Sequence, residues 1–326
     1  MRVLYVGGTG EISKSCVEAA IAAGQQVTLL NRGKTNQTPP PAGAQHIEGD
    51  FSDPDVYAQL AGQHFDVVCQ FLVYTTEAMQ RDIEFFSGRC QQYIFISTAS
   101  AYLKPLAGER ITEATPLANP FWAYSRSKAA CERLLQEAEI PSTIVRPSHT
   151  YRARLPSIVI DGNHLAWRLL RGLPVVVPNG GDSLWTLTHA EDFARALVQL
   201  SGHDQAIGEA FHITSDEAWG WADILREVAS ALDCELDLRR VETGEVVKRM
   251  PALEGPLLGD KVNHLQFDNS KIRTIANDWR CRVTLSEGIR SAAEHVRHRL
   301  AGGYEPDPAV ESTVNQLITD LAAQPV

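Results

Sequence analysis

The chain has 326 residues, 44% hydrophobic and 21% charged, room for one large or two moderate globular domains. A formal net charge of −10 argues against a non-specific nucleic-acid binder, and no apolar stretch approaches membrane-spanning length. Met1 leads directly into an apolar run, so no leader peptide is expected, and six cysteines (16, 69, 90, 131, 234, 281) without metal-site or C-x-x-C spacing read as free thiols in a reducing, cytoplasmic compartment.

The first run, Arg2-Val3-Leu4-Tyr5-Val6, has strand length and stops at Gly7-Gly8-Thr9-Gly10. Apolar residues at 12, 16, 17, 20, 21 and 23 follow helical spacing as far as Gly24, and Gln26 to Leu30 reads as a second buried strand closing at Asn31-Arg32-Gly33. Strand, glycine turn, helix and strand in this order form a βαβ unit. A glycine turn feeding a helix N-terminus presents bare N–H groups and a positive dipole end, which suits a pyrophosphate. The unit therefore reads as the start of a dinucleotide-binding domain. Gly7 and Gly10 hold the first two positions of a G-x-x-G-x-x-G pattern, while Ser13 holds the third. Glu11 places a carboxylate beside the phosphate site, where it is expected to point to solvent and serve the helix dipole.

A polar loop, Lys34 to Ala44, precedes a short third strand at Gln45 to Gly49. Ser52-Asp53-Pro54 starts a helix with proline in its first turn. Asp66 to Leu72 is a fourth strand, apolar almost throughout, as a central parallel strand must be. A helix over Glu77 to Gly88 leads to a fifth strand, Gln92 to Ser97; a long loop then runs from Ala101 to Pro120, a helix from Tyr124 to Ala138, and a sixth strand from Ser142 to Pro147. Six strands alternating with helices imply an α/β fold with a doubly wound parallel sheet. Beyond Pro147 the alternation breaks. Asp161 to Gly172 reads as a helix, and Pro174 to Pro178 as an edge strand between prolines. Thr188-His189-Ala190-Glu191 has capping-box spacing before a helix to Leu200, and Ala210 to Thr214 is a seventh strand returning to the sheet. A helix over Trp219 to Leu232, a strand from Glu235 to Val241 and a helix capped by Thr284 and Glu287 complete the pattern. The tail past Gly302 is expected to be only loosely attached.

The candidate chemistry begins at Tyr124-Ser125-Arg126-Ser127-Lys128. Tyrosine and lysine at i and i+4 share a helix face. A phenol of pKa about 10 is a poor base at neutral pH, and a neighbouring ammonium lowers that pKa toward usefulness. Ser97-Thr98-Ala99-Ser100 sits at the carboxyl end of the fifth strand, the edge of an open α/β sheet where ligands bind. A hydroxyl there can hold a substrate oxygen while the tyrosine moves its proton.

In this combination the chain resembles the short-chain dehydrogenase/reductase superfamily, in its extended epimerase/dehydratase branch. The resemblance covers residues 1 to 300. It rests on Gly7 to Ser13, Gly49-Asp50-Phe51, Phe95 to Tyr102, Tyr124 to Lys128, Val145-Arg146-Pro147 and His189 to Asp192. It implies a Rossmann-like coenzyme domain over residues 1–150, with 184–215 returning to it, and a smaller α/β substrate domain from 151–183 and 216–300, followed by the tail 301–326. By the same resemblance Thr98 is the catalytic hydroxyl, with Ser97 and Ser100 as alternatives, Tyr124 the acid/base, and Lys128 the residue that tunes it and binds ribose. The coenzyme set becomes Gly7, Thr9, Gly10, Glu11, Ile12, Asn31, Arg32, Asp50, Phe51, Lys128 and Pro147. Asn31 stands where an acidic residue would hold the 2′-hydroxyl of NAD, and Arg32 can pair with a 2′-phosphate, which favours NADP over NAD.

Departures from the family narrow the reaction. Sugar-nucleotide 4,6-dehydratases carry Asp-Glu after the catalytic hydroxyl, and related decarboxylases a glutamate at the second of those places; here they hold Ala99 and Ser100. Trp185 replaces an arginine that grips the diphosphate of nucleotide sugars. The expectation is hydride transfer at a secondary alcohol or ketone of a carbohydrate-like small molecule, with an epimerase holding NAD tightly as one alternative and a non-catalytic coenzyme- or RNA-binding protein as another. Ser100, His149, Tyr151 and Trp185 are the candidate substrate residues, and His164, Trp167 and Arg168 lie in the same region. The family resemblance implies a homodimer. No metal, membrane or nucleic-acid partner is expected.

Overall fold

The computed structural model describes residues 1–33, 40–106, 110–277 and 279–322; the start of the Lys34 to Ala44 loop and the last four residues lie outside them. Seven parallel strands form the central sheet: β1 (Arg2–Val6), β2 (Gln26–Asn31), β3 (Gln45–Glu48), β4 (Phe65–Gln70), β5 (Cys90–Ile96), β6 (Ser142–Pro147) and β11 (Ala210–Ile213). They lie in the order β11-β6-β5-β4-β1-β2-β3. A parallel strand covered on both faces must be apolar in consecutive positions. Val3 to Val6 and Val67 to Cys69 meet that demand, and all are fully buried.

The chain reverses its winding direction at β1, which pairs with β2 on one side and β4 on the other. Gly7 and Gly8 turn the chain there with φ of 96° and 132°. A Cβ at Gly8 would stand 2.7 Å from Leu29 Cδ2, so this turn needs glycine for space as well as conformation. Helix α1 (Ser13–Ala22) follows, and with α5 (Ala190–Leu200) and α9 (Ser270–Ile275) covers one face of the sheet through Cys16, Val17, Phe193, Leu197 and Ile272. The other face carries a 3-10 helix, Pro54–Leu60, with α2 (Thr76–Phe86) and α3 (Ala123–Glu137), packed through Val56, Met79, Phe86, Cys131 and Leu135.

A separate core joins the segments on either side of α5. It contains Leu165 of α4 (Gly162–Leu169), Val175 to Val177 of β8 (Val175–Pro178), Ile224 of α6 (Trp221–Ala231) and Val296 of α10 (Leu285–Ala301). Among the described residues strand β8 pairs only with β13 (Leu238–Val241), as befits a strand closed by prolines. Short strands β7 (His149–Tyr151) and β10 (Leu187–His189) pair with each other, as do β9 (Leu184–Trp185) and β12 (Trp219–Gly220). After α7 (Thr243–Arg249), the short α8 (Glu254–Pro256) continues as a π-helical turn, Leu257–Lys261.

Two expectations are corrected here. The tail is firmly docked: α11 (Pro308–Ala322) buries Val314 and Leu317, and its Glu311 accepts from the Arg168 guanidinium at 2.6 Å and meets His164 Nε2 at 2.7 Å. Prolines and polar residues in the connection hid that anchor, and His164 and Arg168 thereby serve the tail instead of a substrate. Thr188 does not cap α5. Its hydroxyl accepts from the Ser215 N–H at 2.9 Å, and His189 takes the capping position through Nδ1.

Candidate active site

Two adjoining cavities open at the carboxyl ends of the central strands and share Thr98, Tyr124, Pro147 and Ser148. The larger, about 670 Å³, runs from the glycine turn to Lys128. Every expected coenzyme residue lines it: Gly7, Thr9, Gly10, Glu11, Ile12, Asn31, Arg32, Asp50, Phe51, Lys128 and Pro147. The smaller, about 290 Å³, is walled by Ser100, Trp122, His149, Trp185, Asp260 and Lys261.

Thr98 lies two residues past the end of the fifth strand and opens a 3-10 turn with extended backbone. Its Oγ1 accepts from the Ser100 N–H at 3.2 Å and lies 2.9 Å from Ser100 Oγ, which in turn meets Ser125 Oγ at 2.8 Å. Ser125 stands next to Tyr124 on α3, so a chain of hydroxyls ties the strand end to the tyrosine helix. Burial, Tyr74 and Asp260 push the Tyr124 phenol up to about 12, against a lowering hydrogen bond to Thr98. The expected depression by Lys128 is absent from this balance. Lys128 sits on the same helix, but its ammonium donates to the carbonyls of Val73 (2.7 Å) and Ile96 (2.8 Å) and rests 4.7 Å from the Tyr74 and Phe95 ring centres. Burial brings its pKa down to about 8.

At the glycine turn, Ser13 Oγ accepts from the Gly10 N–H at 3.0 Å, so the residue at the third-glycine position ties the turn to the start of α1. Glu11 does not face solvent. Its Oε1 accepts from the backbone N–H groups of Arg152 (2.7 Å), Ala153 and Arg154 (2.8 Å). Asn31 Oδ1 accepts from the Gly33 N–H at 3.0 Å, while its Nδ2 is buried without a partner among the described residues; Arg32 beside it is exposed. Asp50 accepts from the Ser52 N–H and hydroxyl, and the Phe51 ring lies 4.7 Å under the Arg81 guanidinium.

In the smaller cavity His149 faces the Trp185 ring edge-on at 6.2 Å, and burial with nearby Lys261 brings its pKa down to about 3, leaving a neutral imidazole. Trp185 is 2% exposed, and its Nε1 has no partner among the described residues. Tyr151 lines neither cavity. It is buried against His189 and Gly288, where a methyl group would collide with its hydroxyl, so it belongs to the core. The residue that sequence reasoning missed is Asp260. Burial pushes its carboxyl up to about 7 against the pull of Lys104 and Lys261, and Oδ1 accepts no hydrogen bond among the described residues. Asn119 fixes its turn beside the strand end by donating to the carbonyls of both Ser100 and Gly259 at 2.6 Å.

Residues 74–214 match the family model for the NAD dependent epimerase/dehydratase family. The chain is 28% identical over 240 residues to a 2′-dehydrokanamycin reductase of Streptomyces kanamyceticus, a match covering 71% of this chain and 67% of that protein. It is 28% identical over 232 residues to the chloroplast stem-loop binding protein of 41 kDa b of Arabidopsis thaliana, covering 66% of this chain and 59% of the relative. Among solved structures, the UDP-glucose 4-epimerase of Thermus thermophilus in complex with NAD superposes with a TM-score of 0.71 at 22% identity, covering 91% of this chain and 99% of that one. Residues 74–214 thus resemble the NAD dependent epimerase/dehydratase family, and the chain shares its fold with the T. thermophilus epimerase.

Proposed function

We propose that this chain is an NAD(P)-dependent enzyme that transfers a hydride at a secondary alcohol or ketone of a sugar-like small molecule. The observation that carries the reading is the shared wall of the two cavities: Thr98 and Tyr124 border both the cleft along the glycine turn and the cavity of Trp185 and His149. A bound nicotinamide would supply the acceptor or donor of hydride. The chain's own residues supply the rest. Thr98 and Tyr124 hydroxyls hold the substrate oxygen, and Tyr124 moves the proton at its phenolic oxygen. A phenol held near 12 stays protonated at neutral pH, the state that donates to the alkoxide formed as a ketone is reduced. Lys128, Asp50 and Phe51 line the larger cleft, which supports a role for them in holding the nucleoside parts.

Asn31 and Arg32 support NADP. Asn31 Nδ2, a donor without a partner among the described residues, and an exposed guanidinium beside it suit a 2′-phosphate. Reduction agrees with the name of the S. kanamyceticus relative, and a free or lightly substituted sugar with the apolar Trp185 wall. An epimerase reading has support in the T. thermophilus neighbour and differs in that coenzyme would stay bound through turnover. The chloroplast relative, a stem-loop binding protein by name, supports a nucleic-acid-binding reading, against the chain's net negative charge.

Titration of the protein with NADP and NAD in parallel, followed by a sugar and polyol screen at the nicotinamide absorbance, tests the proposal. Tyr124→Phe should abolish turnover and leave coenzyme affinity unchanged. Full activity of that variant would refute the assignment, and binding of stem-loop RNA without either coenzyme would install the other reading.

A further inference from the structure

The cleft along the glycine turn carries a second charged assembly that the proposed hydride transfer does not use. Segment Arg152-Ala153-Arg154 follows β7 and is fixed from two sides. Glu11 Oε1 takes all three of its N–H groups, and Arg299, in the last turn of α10, donates to the Ala153 carbonyl. Arg299 also donates through Nε to Asn163 Oδ1 at 3.0 Å, which holds the guanidinium in place. The glutamate that seemed misplaced beside a phosphate site is therefore a fastener, its charge spread over three backbone donors.

The fastening concentrates positive charge. Arg152, Arg154 and Arg299 all line the larger cavity together with Gly10, Glu11 and Ile12. Arg152 Nε is buried without a partner among the described residues. Arg154 has an 80% exposed side chain whose Nε lies 4.0 Å from Glu11 Oε2. The pKa of Arg299 is lowered by burial and by the fields of Arg154 and Arg152, although Glu11 and Asp161 oppose them. Three guanidiniums against the Glu11 carboxylate leave an excess of two positive charges, opposite in sign and equal in size to the charge of a dinucleotide's pyrophosphate.

We propose that Glu11 and segment 152–154 form a built anion clamp, in which Arg152, Arg154 and Arg299 grip the pyrophosphate of a dinucleotide coenzyme alongside the N–H groups of the glycine turn. This rests on the reading that the larger cleft takes NAD(P). The clamp is distinct from Asn31 and Arg32, which line the cleft at the end of β2 and address the 2′-position. It therefore raises affinity for NAD and NADP alike.

Calorimetric titration of wild type, Arg152→Ala and Arg154→Ala with NAD+, NADP+, ADP-ribose and 2′-AMP tests the clamp. Losing one charge-assisted contact should weaken NAD+, NADP+ and ADP-ribose each by about tenfold to a hundredfold, with the NADP+ to NAD+ ratio preserved and 2′-AMP unaffected. Arg154 is exposed, so its variant folds, and circular dichroism checks Arg152→Ala. Unchanged affinities in both variants, or a loss confined to NADP+ and 2′-AMP, would overturn the clamp while leaving the coenzyme reading intact. Failure of wild type to bind any of the three pyrophosphate-containing probes would overturn both.

Discussion

Asp260 shows how one side chain sets local behaviour without belonging to any recognisable motif. Its carboxyl ionises near 3.8 in an unfolded chain and near 7 in the folded one, because burial opposes the charge more than Lys104 and Lys261 favour it. Between those values the unfolded state has released a proton that the folded state keeps, so this group's contribution to stability falls as pH rises through the window and stays low above it. Asp260→Asn, neutral at every pH, should gain on wild type in melting temperature as pH goes from 5 to 8. A gap that stays constant over this range would mean that the carboxylate ionises normally. Burial in the smaller cavity also leaves Asp260 a carboxyl there able to take or give a proton near neutrality. Sequence patterns could not reveal it. It follows Gly255, Pro256 and Gly259 in a π-helical turn with no periodicity, and its neighbours at Ser100 and Trp122 are more than a hundred residues away.

At the scale of elements, α3 is tied to β6 by a buried charge pair. Arg146 donates through Nε and Nη2 to the Glu132 carboxylate, with the Nη2 contact at 2.6 Å, and through Nη1 to Tyr102 and the Glu113 carbonyl. Glu132 is completely buried and Arg146 4% exposed. Removing one member leaves the other charge uncompensated, so Glu132→Ala should cost about 3–5 kcal/mol in urea unfolding. A loss below 1 kcal/mol would show that water reaches Arg146. The pair also explains what could be read in advance. Strands β1, β4, β5 and β6 were legible because burial on two faces demands unbroken apolar runs. The glycine turn, the Thr98 strand end and the Tyr124–Lys128 helix were legible because their spacing is local. Strands β7, β9, β10 and β12 were not, being two or three residues long with no pattern of their own. The docking of α11 was hidden because it depends on Glu311 finding Arg168 and His164, a contact between distant segments. Tyr151 misled for the same reason: its neighbours come from β10 and α10.

As a whole molecule, the chain is a sheet domain and a second core meeting along a cleft, with both contributing to its walls. Pro147 and Ser148 come from the sheet side, Trp185 and Asp260 from the other. Ligand that engages both sides should stabilise the molecule as a unit. Coenzyme at a hundredfold excess over its Kd adds roughly 2.7 kcal/mol to the folded state. In calorimetry NADP should raise the melting temperature as a single transition, whereas a second transition left at its original temperature would show that only the sheet domain senses it.

The fastening of Glu11 to segment 152–154, and of that segment to Arg299, also has a meaning in time. A ribosome makes the chain from one end, at roughly 5–20 residues per second, so roughly 15–60 s separate the synthesis of Glu11 from that of Arg299. During that interval segment 152–154 has the Glu11 fastener available and lacks the one from Arg299 of α10. A chain terminated before Arg299 would lack the guanidinium that holds the Ala153 carbonyl, and segment 152–154 would rest on Glu11 alone.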